Sequence, residues 1–308
     1  MYDIIIIGAG PAGLTAAIYA KRASKKVLVL EAKSYGGSII NTLDIENYPV
    51  EAHISGFDFA TKLYNQVKEL KAEIKFEKVI EIKNNDKEKI VITSKNTYTS
   101  KVIIIATGSE NRKLNLPGEN TLIGKGISYC ATCDGAFYKN KKVAVVGGGN
   151  TAIEDAIYLS NIADTVYLIH RKNEFRADEV TLSRLKEKEN IKVIYNSTIT
   201  KLNADNFLKS IEVTNEEGNI KVIDIDGLFI AIGRVPQNEN FKNIIKIDSD
   251  GYIESNEDCH TNIDGIYVAG DNRTKSLRQL VTATSDGAIA ASEAIKYINN
   301  NERGEENV

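Results

Sequence analysis

The feature that most constrains this chain is a strand, glycine turn, helix and strand pattern that occurs twice within 308 residues. The two copies align without gaps at an offset of 139 positions, so that Gly8 corresponds to Gly147 and Gly10 to Gly149. Each copy opens on a short β-branched run, which is typical of a parallel strand covered on both faces. The repeat therefore predicts two α/β units, each built around a central parallel sheet.

In the first copy the three glycines of a GxGxxG turn have different roles. Gly8 permits the tight turn, Gly10 lets the backbone approach a pyrophosphate, and Gly13 lets the helix pack closely on the strand. The helix N-terminus that follows is suited to an anion. Glu31 lies eighteen residues beyond Gly13, where it can accept a hydrogen bond from a ribose hydroxyl. This complete unit predicts a dinucleotide site; in the second copy the third glycine is Ala152, an accepted variant.

The second copy differs from the first in the charge at the end of its second strand. Where the first copy has Glu31, the second has His170, followed by Arg171 and Lys172, and Arg176 is close by in sequence. Replacing the acid with basic residues is the change that a 2′-phosphate requires. We therefore predict an adenosine without a 2′-phosphate for the first copy and NADP(H) for the second. The alternative is that the cations only form a solvated surface.

Between the two copies lies Cys130-Ala131-Thr132-Cys133-Asp134. Two thiols at this spacing can close a small disulfide, and exchange with a second disulfide needs only one of them as a thiolate. A carboxyl group beside the pair can protonate a leaving thiolate and take the proton back. The spacing alone also fits half of a zinc site, with Cys259 and His260 as further ligands. Neighbouring side chains on a strand point apart, so we predict a redox pair and no metal.

The segments between these motifs carry weaker signals. Ser55 predicts the start of a helix, and the alternation over residues 74–105 predicts a small antiparallel layer. A strand ending at Gly270 leaves Asp271 able to hydrogen-bond a hydroxyl group. The last helix is predicted to begin near Arg278 and Gln279, with Gly287 allowing a close approach to a neighbouring element.

Composition limits the other functional classes. The net charge of −3, from 39 basic and 42 acidic residues, gives no electrostatic case for a nucleic-acid partner. No apolar run approaches the roughly 18 residues of a membrane span, so no membrane partner is expected. The chain enters a buried strand at Ile4 without a basic leader, and it has three cysteines. We therefore expect a cytoplasmic protein in a reducing compartment.

In this order, the motifs closely resemble the low-molecular-weight thioredoxin reductases, which are two-domain flavoproteins, over nearly the whole chain. The resemblance implies an α/β fold with two Rossmann-like domains of three layers, each with a central parallel sheet. It also implies a discontinuous FAD domain, 1–111 plus 247–308, into which an NADPH domain, 112–246, is inserted. Domain crossings that the residues themselves suggest, near 112–117 and 242–248, agree with this division.

The resemblance implies roles for individual residues. FAD would be held by Gly8, Gly10, Pro11, Ala12, Gly13, Glu31, Gly37, Asn47, Thr107, Gly108, Gly270, Asp271, Arg278, Gln279 and Leu280. NADPH would be held by Gly147, Gly149, Asn150, Thr151, Ala152, His170, Arg171, Lys172 and Arg176. Cys133 would face the flavin, Cys130 would attack the partner disulfide, and Asp134 would donate or accept the proton. The implied enzyme is a homodimer that reduces thioredoxin, or a thioredoxin-like protein, with NADPH.

Two departures from the family pattern leave alternatives open. The loop near the flavin reads Gly36-Gly37-Ser38 where the family usually has Gly-Gly-Gln, and Lys172 stands where it often has a second arginine. Lysine keeps the charge but lacks the bidentate fork of arginine. Some relatives take electrons from ferredoxin, so a ferredoxin-dependent thioredoxin reductase is one alternative. Another is a flavoprotein reductase of a different disulfide carrier, such as a glutaredoxin-like protein.

Overall fold

A computed structural model describes residues 1–42, 44–85 and 88–306 of the chain. The strands are β1 (Tyr2–Ile7), β2 (Val27–Glu31), β3 (Glu73–Phe76), β4 (Val79–Asn84), β5 (Lys89–Thr93), β6 (Thr97–Ile105), β7 (Ser109–Asn111), β8 (Ile127–Ser128), β9 (Lys142–Gly147), β10 (Thr165–Ile169), β11 (Ile191–Ile194), β12 (Ser197–Ala204), β13 (Leu208–Asn215), β14 (Ile220–Asp224), β15 (Gly227–Ala231), β16 (Arg234–Pro236) and β17 (Ile266–Val268). The helices are α1 (Pro11–Arg22), α2 (Gly56–Glu69), α3 (Glu119–Leu122), α4 (Ala131–Asp134), α5 (Asn150–Ser160), α6 (Glu179–Lys186) and α7 (Leu280–Glu306).

The chain divides into two compact units, one of Met1–Glu110 with Val235–Val308 and the other of Asn111–Arg234. The second boundary differs from the predicted one, because residues 235–246 belong to the first unit rather than to the inserted one. The physical reason is that Phe241 and Ile245 are buried in the apolar core of the first unit. The predicted end of that unit at 308 lies outside the described residues.

The sheet of the first unit has the order β3-β2-β1-β6-β5-β4, and β17 pairs with β6. Strands β3, β2, β1, β6 and β17 are parallel, whereas β4, β5 and β6 are antiparallel neighbours. Ser100 of β6 pairs with Tyr2 of β1 and with Lys89 of β5, so β6 joins the two parts. The antiparallel layer predicted for 74–105 is therefore correct for β4 and β5 and wrong for β3, which lies parallel to β2.

Both faces of the parallel sheet are covered. Ile4 and Ile6 lie in one core with α1 and α7, and Ile5 and Ile7 lie in a second core on the opposite face. A Cβ atom on Gly287 of α7 would lie 2.2 Å from the carbonyl oxygen of Ala12, so glycine lets α7 touch α1. The unit is thus a layered α/β structure, as the sequence predicts.

The second unit repeats this plan. Its five-stranded sheet, β11-β10-β9-β15-β8, is parallel throughout. Val143 and Val145 of β9 pack with α5 on one face, while Ala144 and Val146 pack with β12, β13 and β14 on the other. Two Rossmann-like units are therefore present. Of the helices that the structure describes, none combines the length and apolar character that a bilayer-spanning segment requires.

Candidate redox and nucleotide-binding sites

The first glycine turn is closed to side chains at two positions and open at the third. A Cβ atom on Gly8 (φ 110°) would lie 2.2 Å from the Ala106 carbonyl oxygen, and one on Gly13 would lie 1.9 Å from the Gly8 oxygen. At Gly10, which caps α1, the nearest such atom is the Cα of Gly37 at 3.9 Å. The start of α1 therefore has free space in front of it, as a bound pyrophosphate would require.

Glu31 fixes the glycine turn and keeps acceptor capacity. Its Oε2 accepts a hydrogen bond from the Ala9 amide at 2.8 Å, and its Oε1 accepts one from the Lys33 amide at 2.8 Å. A carboxylate offers about four lone-pair positions, so two more donors can be accommodated. The Ala9 carbonyl in turn accepts from the Gly36 amide at 2.7 Å, which holds the 36–37 loop against the turn. These contacts fit an adenosine ribose at Glu31.

A buried charge cluster lies beneath the Gly270–Asp271 turn. Asp286 accepts from the Gly270 amide at 2.9 Å and from Lys275 Nζ at 2.8 Å, and it lies 3.2 Å from Arg273 Nη1. The side chains of Arg273, Lys275 and Asp286 are at most 8% exposed. Two cations against one carboxylate leave net positive charge beside Asp271. The sequence does not predict this cluster, because the spacing of its residues carries no recognisable signal.

A second group of polar residues joins Thr107 to the same turn. Asn272 is fully buried, and its Nδ2 donates to Thr107 Oγ1 at 3.1 Å. The Nδ2 of Asn238 donates to the Asn272 carbonyl at 2.7 Å. Asn272 Oδ1 is buried and has no hydrogen-bond partner among the described residues. A buried acceptor without a donor is costly, so a ligand with a donor group fits here beside Gly108.

The predicted residues at the start of α7 meet Asn47. The Nδ2 of Asn47 donates to Gln279 Oε1 at 3.2 Å, and α7 begins at Leu280. The guanidinium of Arg278 lies over the ring of Tyr252, 4.0 Å from its centroid. Its Nε is buried without a hydrogen-bond partner within the part of the chain that the structure describes. The structure thus brings Asn47 and Gln279 together, as a common ligand would require.

The second glycine turn reproduces the first. A Cβ atom on Gly147 would lie 2.4 Å from the Ala231 carbonyl oxygen and 2.5 Å from the Ala152 Cβ. At Gly149, which caps α5, the nearest atom is the Arg176 carbonyl oxygen at 3.8 Å. The first turn of α5 consists of the uncharged residues Asn150, Thr151 and Ala152. This turn therefore also offers an uncharged helix start with space for a phosphate.

Three exposed cations lie near this second turn. Arg171, Lys172 and Arg176 are exposed, and no described carboxylate lies within ion-pair distance of them. The Arg176 amide donates to the Gly148 carbonyl at 2.7 Å, which ties its segment to the glycine turn. The Asp178 amide donates to Asn150 Oδ1 at 3.0 Å and adds a second link. The arrangement suits an anion larger than a pyrophosphate alone.

His170 is buried beneath the second glycine turn, unlike the exposed Arg171, Lys172 and Arg176. It is 6% exposed, and a Cβ atom on Gly148 would lie 1.9 Å from its ring. Its Nε2 donates to the Glu174 carbonyl at 2.9 Å, and its ring stacks on Phe175 at 5.2 Å. Burial lowers the pKa of His170. The imidazole therefore supports the turn from beneath, and the positive charge is left to the arginines and Lys172. Gly148 is a position that sequence reasoning missed.

The three predicted catalytic residues lie in one short turn. Cys130 and Cys133 form a disulfide, and Thr132 Oγ1 lies 3.4 Å from Cys130 Sγ. Ser128 Oγ accepts from the Cys130 amide at 3.0 Å and donates to Asp134 Oδ2 at 2.6 Å. Burial raises the pKa of Asp134, and the hydrogen bond from Ser128 opposes this. The turn can store two electrons as a dithiol and holds a carboxyl group beside it.

Two of the four ligands of the alternative zinc site, Cys130 and Cys133, are joined in this disulfide. Cys259, the free cysteine of the described chain, is fully buried, and burial raises its pKa to about 12. His260 contacts the ring of Tyr267 edge-on and lies 3.5 Å from a carboxylate oxygen of Glu293. These environments are those of a buried thiol and a surface histidine.

Comparisons with known proteins match the chain over both units. A family model described as pyridine nucleotide-disulphide oxidoreductase matches residues 2–287. The thioredoxin reductase of Listeria monocytogenes serovar 1/2a is 42% identical over 302 residues, which cover 97% of this chain and 94% of that protein. The thioredoxin reductase of Bacillus subtilis strain 168 is 40% identical over 303 residues, with coverage of 97% and 95%. The crystal structure of thioredoxin reductase from Streptococcus pyogenes MGAS5005 matches with a TM-score of 0.92 at 38% identity, covering 97% of this chain and 99% of that one.

Proposed function

Because the chain belongs to the pyridine nucleotide-disulphide oxidoreductase family, we propose that it reduces the disulfide of a thioredoxin-like protein with electrons from NADPH. The observation that carries the proposal is the Cys130–Cys133 disulfide with Asp134 beside it, in the same unit as the second glycine turn. Relatives that match this chain over nearly its whole length are named thioredoxin reductase, which supports a thioredoxin-like protein as the substrate.

The proposal assigns one cofactor to each unit. FAD belongs to the unit of Met1–Glu110 and Val235–Val308, where α1 offers a helix start, Glu31 a ribose acceptor and Asn272 a buried acceptor in need of a donor. NADPH belongs to the unit of Asn111–Arg234, where exposed cations without a carboxylate partner among the described residues adjoin the second helix start. When bound, NADPH supplies two electrons as a hydride and FAD relays them to the disulfide.

The chain's own residues then carry out a thiol exchange that balances in electrons and protons. Two electrons and two protons convert the disulfide to a dithiol. The Cys130 thiolate attacks the partner disulfide, forms a mixed disulfide and releases one partner sulfur as a thiolate. Cys133 then attacks Cys130 Sγ, which restores the disulfide and releases the second partner sulfur. Asp134 gives a proton to a leaving thiolate and regains one from an enzyme thiol, so that the partner leaves as a dithiol.

A homodimer in the cytoplasm completes the proposal. The likeness to the thioredoxin reductases supports the homodimer. The free thiol of Cys259 supports the cytoplasm, because thiols stay reduced in a reducing compartment. Light scattering on the purified protein gives the mass of the particle, and a value of one chain would contradict the dimer.

An anaerobic titration of the purified yellow protein tests the function. We expect NADPH to bleach the flavin absorbance rapidly at low concentration, NADH to be far poorer, and oxidised thioredoxin to restore the colour. If neither nucleotide reduces the flavin but reduced ferredoxin does, the electron donor is ferredoxin and not NADPH. If a glutaredoxin-like protein restores the flavin absorbance and thioredoxin does not, the electron acceptor is the glutaredoxin-like protein. A protein that stays colourless after addition of FAD would refute the proposal.

A further inference from the structure

We infer that Ser128 is a positioning residue, whose hydroxyl group fixes one oxygen of Asp134 and leaves the other oxygen to exchange a proton with the redox thiols. The inference rests on the proposed function for its place in turnover. It goes beyond that function by assigning a role to a residue that the proposed thiol exchange does not use.

The position of Ser128 is set by the sheet. It is the last residue of the edge strand β8, it is 4% exposed, and it pairs with Phe229 of the neighbouring strand β15. Its hydroxyl accepts from the Cys130 amide at 3.0 Å and donates to Asp134 Oδ2 at 2.6 Å. The Asp134 amide also donates to the Cys130 carbonyl at 3.1 Å. One buried hydroxyl group therefore links the backbone of the attacking cysteine to the carboxyl group.

The second oxygen of Asp134 is available for proton transfer. Asp134 Oδ1 is buried, and within the described chain it has no hydrogen-bond partner. An unsatisfied buried oxygen costs free energy, which a donor in the same turn would recover. The disulfide carries no hydrogen, whereas reduction creates two S–H groups within this turn, whose cysteine Cα atoms lie 5.3 Å apart. Reduction of the pair thus creates hydrogen-bond donors in the same short turn as Oδ1.

The charges around Asp134 leave Ser128 as the group that favours its ionised form. Burial raises the pKa of Asp134, and the hydrogen bond from Ser128 lowers it. Burial raises the pKa of Tyr138 in the following turn to about 12, and the charges of Asp134 and Asp226 add to that rise. The remaining ionisable groups of the packed elements are Glu154, Asp155 and Tyr158 of α5, and Tyr129, which donates to Glu119. Loss of the Ser128 hydroxyl should therefore keep Asp134 protonated to higher pH.

The test follows the alkylation of the reduced thiols by iodoacetamide as a function of pH, which needs neither FAD nor NADPH. In the unaltered protein we expect an inflection from Asp134 that is absent in Asp134→Asn. Ser128→Ala should move this inflection upward by about one pH unit, because a hydrogen bond to a charged group is lost. Ser128→Thr keeps the hydroxyl and should restore the original position. Ser183→Ala removes an exposed hydroxyl group from α6 of the same unit, away from the redox turn, and should leave the inflection unchanged.

The outcomes separate this inference from the proposed function. An unchanged inflection in Ser128→Ala, or identical profiles for the unaltered protein and Asp134→Asn, would overturn the inference even where NADPH and thioredoxin still support turnover. An upward shift that Ser128→Thr reverses would support it, and it would do so even if the flavin proved to take its electrons from another donor. A Ser128→Ala protein that does not fold would leave Ser128→Thr and Asp134→Asn to decide the point, since loss of the inflection in Ser128→Thr would also overturn it.

Discussion

Arg171 and Arg176 stand where the two copies of the glycine turn differ in charge. Because their guanidinium groups have no described carboxylate partner, the double change Arg171→Ala with Arg176→Ala removes attraction for a 2′-phosphate and little else. We expect KM for NADPH to rise by at least about 100-fold, with KM for NADH nearly unchanged, since charge-assisted contacts contribute about 1.5–3 kcal/mol each and two are removed. Steady-state kinetics with both nucleotides measure this. The matched control is Lys221→Ala, which removes an exposed cation on β14. Equal effects of the double change on KM for NADPH and for NADH would mean that the two arginines only form a solvated surface.

Cys130 is predicted to attack the partner and not to be needed for reduction of the flavin. Cys130→Ser should therefore retain flavin reduction by NADPH and lose turnover with thioredoxin by at least about 1,000-fold, because a serine hydroxyl is a poor nucleophile at neutral pH. Stopped-flow absorbance measures the reduction of the flavin by NADPH, and a thioredoxin assay measures turnover. The control is Cys259→Ala, since that thiol is fully buried and should not take part. Normal turnover of Cys130→Ser with thioredoxin would show that Cys130 is not the thiol that attacks the partner disulfide.

The sequence predicts residues whose chemistry is local and misses those whose role depends on distant contacts. The glycines at 8, 13 and 147 are recognisable because each spacing imposes a known backbone geometry. Ser128, Gly148 and Asn272 carry no such spacing. Gly148 is required because the ring of His170 occupies its Cβ position, and Asn272 gains its role from Thr107 and Asn238. Such contacts exist only in the folded chain.

At the scale of elements, Asp286 ties helix α7 to the turn after β17. Asp286→Asn would leave Arg273 and Lys275 buried with their carboxylate removed, which costs about 3–5 kcal/mol. We expect a matching loss in the free energy of unfolding of the first unit, measured by urea denaturation of the full chain. Glu293→Gln, on the same helix, removes a partner of the exposed Lys296 and should cost at most about 1 kcal/mol. Equal losses for the two variants would contradict a buried anchor.

Element partners are harder to predict than the elements themselves. Alternation of apolar residues predicts strands between 74 and 105, and strands are found there. The period of a strand does not reveal its neighbour, so the pairing of β3 with β2 needed the structure. The same holds for the domain crossing predicted near 242–248, since the burial of Phe241 and Ile245 in the core of the first unit is a tertiary contact.

At the scale of the whole molecule, the assignment of one cofactor to each unit is testable by hydrogen exchange. Added FAD should protect amides of 1–110 and 235–306, and added NADP⁺ should protect amides of 111–234, because a ligand stabilises the unit that binds it. Mass spectrometry of the exchanged peptides reports each unit separately. Adenosine alone serves as the control for weak stacking. Protection in the opposite units would reverse the assignment.

The division of the first unit has a consequence for synthesis on the ribosome. Strand β6 is complete at Ile105, but its neighbour β17 and the helix α7 that packs on α1 are translated long afterwards. At about 5–20 residues per second, roughly 10–40 s separate the two parts. The continuous unit of Asn111–Arg234 has all its strands by then and can fold first. The newly made chain must therefore keep the apolar faces of β1 and β6 from associating with other chains until its last helix emerges.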